Sequence, residues 1–247
     1  MKKLFTLAVA ALCAASVNAQ DFIFQGGSDY ATYGTATGDF EEPIGATTVT
    51  DPASMTCTTA PGLTAYLLKA DKAFGDGAYI TYNGTEYRTF KLSNGAPTAI
   101  DLPEGVTISK IEVIGYSNTA GTPTYIATLG TIVEGAYVAQ YTNDGTGDVI
   151  SVDKSSVAKD DGGRDVCGVD PGVITIDNLN LTGRFFFKNG GKQPCIIMNL
   201  YKAGESTAIS TVKVNSTEAP MFNLAGQKVD KSYKGMVIQG GFKFMNK

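Results

Sequence analysis

The chain has 247 residues, 43% of them apolar, with 20 basic side chains against 24 acidic ones and a formal charge of −4. This composition describes an ordered globular protein, and its acidic balance repels phosphate backbones, so nucleic acid is not an expected partner. Histidine is absent, which removes Ser-His-Asp and Cys-His nucleophile activation and the usual zinc sites.

Residues 1–19 read as a signal peptide. Lys2 and Lys3 precede an apolar run over 4–16, and Val17-Asn18-Ala19 offers small residues for cleavage after Ala19. Leu12 ahead of Cys13 argues against lipid attachment. The run is shorter than the roughly 20 residues of a spanning helix, and no transmembrane segment is expected in the mature chain. The expected location is extracellular or the outer cell surface. Cleavage would leave 18 basic groups facing 24 acidic ones, a charge of −6.

From residue 20 to residue 203 helical periodicity is nearly absent. Short segments rich in Val, Ile, Thr, Tyr and Phe alternate with Gly, Asn, Asp and Pro, which is the pattern of strands and turns. Strands are expected over 64–69, 78–82 and 86–92, the last two joined by Asn83-Gly84, a dipeptide suited to a tight hairpin. Over 106–116 the apolar parity runs through Val106 and Ile108, then switches at Ile111, Val113 and Gly115, which predicts a bulge or bend. Further strands are expected over 124–129, 136–141, 149–152 and 173–176. The most apolar, 184–188 and 195–201, are expected at sheet centres, so that Phe185-Phe186-Phe187 reads as packing rather than a cofactor site. About ten strands with regular turn signals predict an all-β fold, a jelly-roll-type β-sandwich.

Cys57, Cys167 and Cys195 remain after cleavage, an odd count that precludes complete internal pairing. A Cys167–Cys195 bridge is one reading; a buried apolar thiol at Cys195 is the other. Residues 204–209 are small and polar, a linker, and 210–247 form a small β-rich C-terminal tail module with four short strand-like pieces.

The tail sequence Met221-Phe222-Asn223-Leu224-Ala225-Gly226-Gln227-Lys228-Val229, followed by Lys234-Gly235-Met236-Val237-Ile238, resembles C-terminal tails of exported Bacteroidetes proteins. That resemblance implies the type IX secretion route and display at the cell surface. A second resemblance rests on Ile80-Thr81-Tyr82-Asn83-Gly84-Thr85-Glu86-Tyr87, Lys91-Leu92-Ser93-Asn94-Gly95-Ala96 and Ile114-Gly115-Tyr116-Ser117-Asn118. These segments look like β-sandwich domains that accompany glycan-degrading enzymes in secreted Bacteroidetes proteins, which implies a carbohydrate-associated accessory domain.

The residues permit several chemistries. Sugar-binding sandwiches stack pyranose rings on aromatic side chains. Tryptophan is absent, but Tyr79, Tyr82, Tyr87, Tyr116 and Tyr125 cluster in sequence and, with Asn118, are candidates for a glycan-binding face. The competing reading makes them cross-strand pairs and core-edge residues. Two acidic loops could hold a structural calcium: Asp144 and Asp148 in one, Asp160, Asp161 and Asp165 in the other. Asp and Gly are equally the residues of ordinary turns, and no other cofactor is expected. Glu86, Glu104, Glu112 and Glu134 could serve a carboxylate-dependent glycosidase, though no spacing pairs them. The leading expectation is a non-catalytic carbohydrate-binding module. A structural or adhesive surface protein, binding proteins or itself, is the alternative, and a glycan-degrading enzyme the third.

Overall fold

The structure is a computed structural model that describes residues 20–45, 47–93, 95–203, 221–223, 227–230, 232–239 and 242–246. The expected signal peptide and the expected linker lie outside the described residues. The chain divides into two compact units between Ala203 and Gly204.

In chain order the first unit begins with β1 (Phe22–Phe24), β2 (Ala31–Thr35), β3 (Asp39–Glu42), β4 (Thr47–Thr50), β5 (Ala53–Cys57) and β6 (Thr64–Leu67). Next come β7 (Gly75–Tyr82), β8 (Thr85–Lys91), β9 (Pro97–Asp101), β10 (Thr107–Ser117), β11 (Thr124–Val133) and β12 (Ala136–Thr142). A 3₁₀ turn at Lys154–Ser156 leads to β13 (Val157–Lys159), β14 (Asp165–Cys167), β15 (Gly172–Ile176), β16 (Leu181–Thr182), β17 (Arg184–Gly191) and β18 (Pro194–Lys202).

Eight of these strands make a jelly roll. They pair from the outside of the segment inward: β8 with β18, β9 with β17, β10 with β15, β11 with β12, all antiparallel. The resulting orders are β8-β18-β10-β15 in one sheet and β9-β17-β11-β12 in the other, as a long hairpin rolled onto itself requires. β7, β14 and β13 extend the first sheet beyond β8, while β6, β5 and β2 extend the second beyond β9. β8 pairs with β18 only at Cys195 and Ile196, and β1 takes over from Met198 to Leu200.

Alternation along each strand builds the core. Ile196, Met198 and Leu200 of β18 and Ile111 and Val113 of β10 meet Phe185 and Phe187 of β17 and Ile126 and Leu129 of β11 in one buried cluster. The opposite parity is buried as well. Phe186, Ala99 and Val49 form a cluster with Phe40 and Tyr66 packed on it, beneath the β3–β4 hairpin. On the outer face of the β18 sheet, Ala78, Ile80, Ile114, Tyr116, Cys167, Cys195 and Ile197 form another. The Phe185-Phe186-Phe187 run is thus packing on both faces of a central strand.

The hairpin turn and the bulge stand where sequence places them. Asn83 and Gly84 take φ of 50° and 76°, the left-handed region that such a turn demands. In β10 the register to β18 shifts between Ile108 and Lys110. Residues 149–152, in contrast, form no ladder: one isolated bridge occurs there, Thr124 with Ile150, and a second, Ser117 with Asp153, follows just after. All three described cysteines are buried free thiols, and the Cys167–Cys195 bridge is not made, since β7 and β8 run between their strands. No helix among the described residues is long and apolar enough to cross a membrane.

In the second unit β19 (Met221–Asn223), β20 (Lys228–Val229), β21 (Gly235–Gln239) and β22 (Phe242–Asn246) form an antiparallel sheet ordered β20-β19-β21-β22. Asn223 closes the first hairpin: its side-chain amide donates to Gln227 Oε1 at 2.9 Å, and its Oδ1 accepts from the Gln227 N–H at 3.0 Å.

Gly115 of β10 lies opposite Ile196 of β18. A Cβ there would lie 2.1 Å from the Cys195 carbonyl oxygen, and backbone cannot swing aside as a side chain can. Gly115→Ala is expected to lower stability by about 1–3 kcal/mol in urea denaturation; an unchanged midpoint would contradict this packing.

Candidate functional site

The outer face of the β18 sheet carries a cavity of about 480 Å³. Cys195 and Tyr116, direct partners on β18 and β10, lie in it, and Asn118 just beyond β10 stands with them. The register of β7 to β8 breaks between Asp76 and Tyr79, and this bulge turns Gly77 and Ala78 toward the cavity. Lys91 and Arg88 come from β8, Lys159 from β13, Asp165 from β14 and Lys154 from the 3₁₀ turn.

Hydrogen bonds fix this wall. Asp153 caps the 3₁₀ turn, accepting from the Ser155 N–H at 2.7 Å and, through its other oxygen, from the Gly121 N–H at 2.7 Å. The Ser155 hydroxyl first, then those two N–H groups, hold the Asp153 carboxyl below the usual carboxylate range. The Tyr116 hydroxyl accepts from the Ala78 N–H at 2.9 Å, which satisfies an amide that the bulge leaves unpaired. Burial pushes the Tyr116 phenol well above its ordinary value. Burial also pushes the Cys195 thiol up, against the opposing pull of the Tyr116 hydroxyl and the charges of Lys91, Lys154 and Arg88. Cys195 is therefore a protonated wall residue, not a thiolate.

The cavity is lined by four basic side chains and two carboxylates. Asp165 pairs with Lys159 at 2.9 Å. Asp76 accepts from the Gly27 N–H and the Tyr33 hydroxyl, and lies 3.9 Å from Arg88 Nε. Neither Lys91 nor Lys154 forms an ion pair among the described residues, and the buried Arg88 Nε has no hydrogen-bond partner.

The tyrosines expected to form one face are dispersed. Tyr79 points to the side opposite Ile80 and Tyr82, and the guanidinium carbons of Arg88 and Arg164 each lie 4.6 Å from its ring centroid. Those cations occupy the ring that a sugar would need. Tyr82 and Tyr87 are half-buried against the outer cluster of Ile80, Ile114 and Ile197. Tyr116 is 3% exposed and offers no stacking surface. Tyr125 belongs to the other sheet, with its ring against Gly190 and Gly145. Of the expected set, only Tyr116 and Asn118 line the cavity.

The acidic loops are occupied by their own bonds. Asp144 accepts from the Thr146 hydroxyl and N–H, and these hold its carboxyl below the usual range. Asp148 gives its carbonyl to the Asn143 amide. Asp160 accepts from the Arg164 N–H and side chain, Asp161 stands in an exposed turn, and Asp165 faces Lys159. Among the described residues no three carboxylates or thiols gather as metal ligands. Arg164 also takes Glu86, Glu104 and Glu134 stand in exposed turns, and none of the four candidate glutamates lines the cavity.

Glu112 anchors the far end of the same face. Its Oε2 accepts from Tyr201 and Asn199, and its Oε1 from Lys110 at 2.9 Å. Burial raises its pKa, but the bonds from Tyr201, Lys110 and Asn199 outweigh that and hold the carboxyl below its ordinary value. A depressed folded pKa contributes stability that is complete above the unfolded value, about 4.3, and is lost as pH falls through the folded one. Glu112→Gln is therefore expected to be less stable than wild type at pH 7, with a difference that shrinks progressively below about pH 4. Equal pH dependence of the two melting temperatures would contradict the assignment. No protein-family model matches the chain, and no curated protein sequence matches it.

Proposed function

We propose that the protein is an exported, non-catalytic carbohydrate-binding module that holds its sugar in the cavity on the outer face of the β18 sheet. The observation that carries this reading is the cavity itself. At about 480 Å³ it falls within the roughly 300–1,000 Å³ of small-molecule sites. Its wall combines the apolar Ala78, Val157 and Cys195 with the amide of Asn118 and the lysine ammonium groups, the mixture that grips a sugar's carbon faces and its hydroxyls. The absence of histidine and the protonated Cys195 argue against a catalytic use.

Export is supported by the charged, apolar and small segments of residues 1–19 and by the tail that resembles type IX secretion tails. The Asn223–Gln227 bonds give two residues of that tail a physical role as closure of its first hairpin. Fusing residues 1–19 to a leaderless reporter tests export; a reporter retained in the cytoplasm would count against it.

A second reading, a surface protein that binds proteins or itself, draws on the β11–β12 hairpin. There Ile132, Val133 and Val138 are 40%, 49% and 43% exposed, and β12 is an edge strand with an open row of backbone groups. A glycan array probed with purified protein, with and without calcium, separates the two. Selective binding to a set of glycans is the expected result. A blank array, together with a dimer in solution by light scattering, would favour the second reading.

A further inference from the structure

We infer that the sugar held in this cavity is acidic, carrying a carboxylate or a sulfate ester that is bound between Lys91 and Lys154. The inference rests on the carbohydrate-binding reading and narrows it to a ligand class.

The argument begins with charge. The chain as a whole is acidic, with 24 acidic side chains against 20 basic ones, yet the cavity reverses that sign, with four cations against two carboxylates. Both carboxylates are already engaged. Asp165 is taken by Lys159, and Asp76 ties the β7 bulge to the Gly27 N–H and the Tyr33 hydroxyl. Lys91 and Lys154 are left facing the cavity without a carboxylate among the described residues.

Like charges brought together across a cavity repel one another, a cost that an anion between them removes. The backbone positions of both lysines are fixed by the fold. Lys91 ends β8, where it pairs with Cys195, and Lys154 is set by the capped turn at Asp153. Arg88 also lines the cavity and adds its positive charge, although its guanidinium is already held over the Tyr79 ring and 3.9 Å from Asp76. Carboxylate and sulfate both supply the acceptor oxygens that guanidinium and ammonium donors need.

Neutral sugars would leave these donors unmatched, and the discrimination should show as a difference between matched ligands. Titration calorimetry of purified protein with oligogalacturonate against its methyl ester, and with dextran sulfate against dextran, separates charge from sugar in two pairs. The first pair reads carboxylate and the second reads sulfate. Acidic members are expected to bind at least about tenfold more tightly than their neutral partners, with affinity falling as salt rises. Lys91→Met and Lys154→Met should each weaken the acidic ligand by about tenfold, while Lys110→Met, whose lysine sits on Glu112 outside the cavity, should leave it unchanged. Lys154 is exposed and Lys91 only partly buried, so both variants should melt near wild type, which confirms that they fold. Equal binding of charged and neutral partners, or lysine variants that bind as wild type does, would overturn the inference and leave the carbohydrate module standing. No binding of any glycan would overturn both.

Discussion

β18 is buried on both faces over Pro194–Tyr201, and that double burial is the constraint from which the rest follows. Buried backbone must find protein partners on both edges. β10 supplies one edge along nearly the whole strand, while β8 and then β1 share the other. The inner side chains of β18 make the centre of the sandwich, and the outer ones need a second cover. β8 leaves the edge after Ile196, and the bulged β7 with β13 and β14 extends the sheet past it. The cavity is what remains between that extension and Cys195.

Local pattern was legible in the sequence where one strand or one turn decides the outcome. The parity switch in β10 marked its bulge, Asn83-Gly84 marked its turn, and the uninterrupted apolar runs of β17 and β18 marked strands buried on both faces. Strands at the N-terminal end were not legible. β2, with one buried and four exposed residues, and β3, with its charged run, carry no apolar alternation, and pairing alone makes them strands. The same limit explains residues 149–152: an apolar segment predicts burial, and Ile150 is buried, but a ladder needs a neighbour in register.

The binding face shows the difference between nearness in sequence and nearness in space. Five tyrosines within one stretch looked like a platform, yet alternation sends Tyr79 away from Tyr82, and the jelly-roll connection carries Tyr125 to the other sheet. The lysines that do meet come from β8, β13 and the 3₁₀ turn, segments without any shared motif. Only the jelly-roll pairing of β8 with β18, together with the parallel pairing of β14 with β7 beyond it, brings them together. Charge in this protein is thus organised by topology. An acidic chain holds a cation-rich recess, and the residues beside it serve to position it: Asp153 through its cap, Asp76 through its link to Gly27 and Tyr33, Tyr116 through the Ala78 amide.

The most direct test of this account is to map ligand contact by amide chemical shifts in ¹⁵N-labelled protein titrated with oligogalacturonate. The account predicts that the largest shifts fall on Ala78, Lys91, Asn118 and Lys154, around the recess on the outer face of the β18 sheet. Shifts centred instead on the β11–β12 hairpin, or spread along no single face, would contradict it.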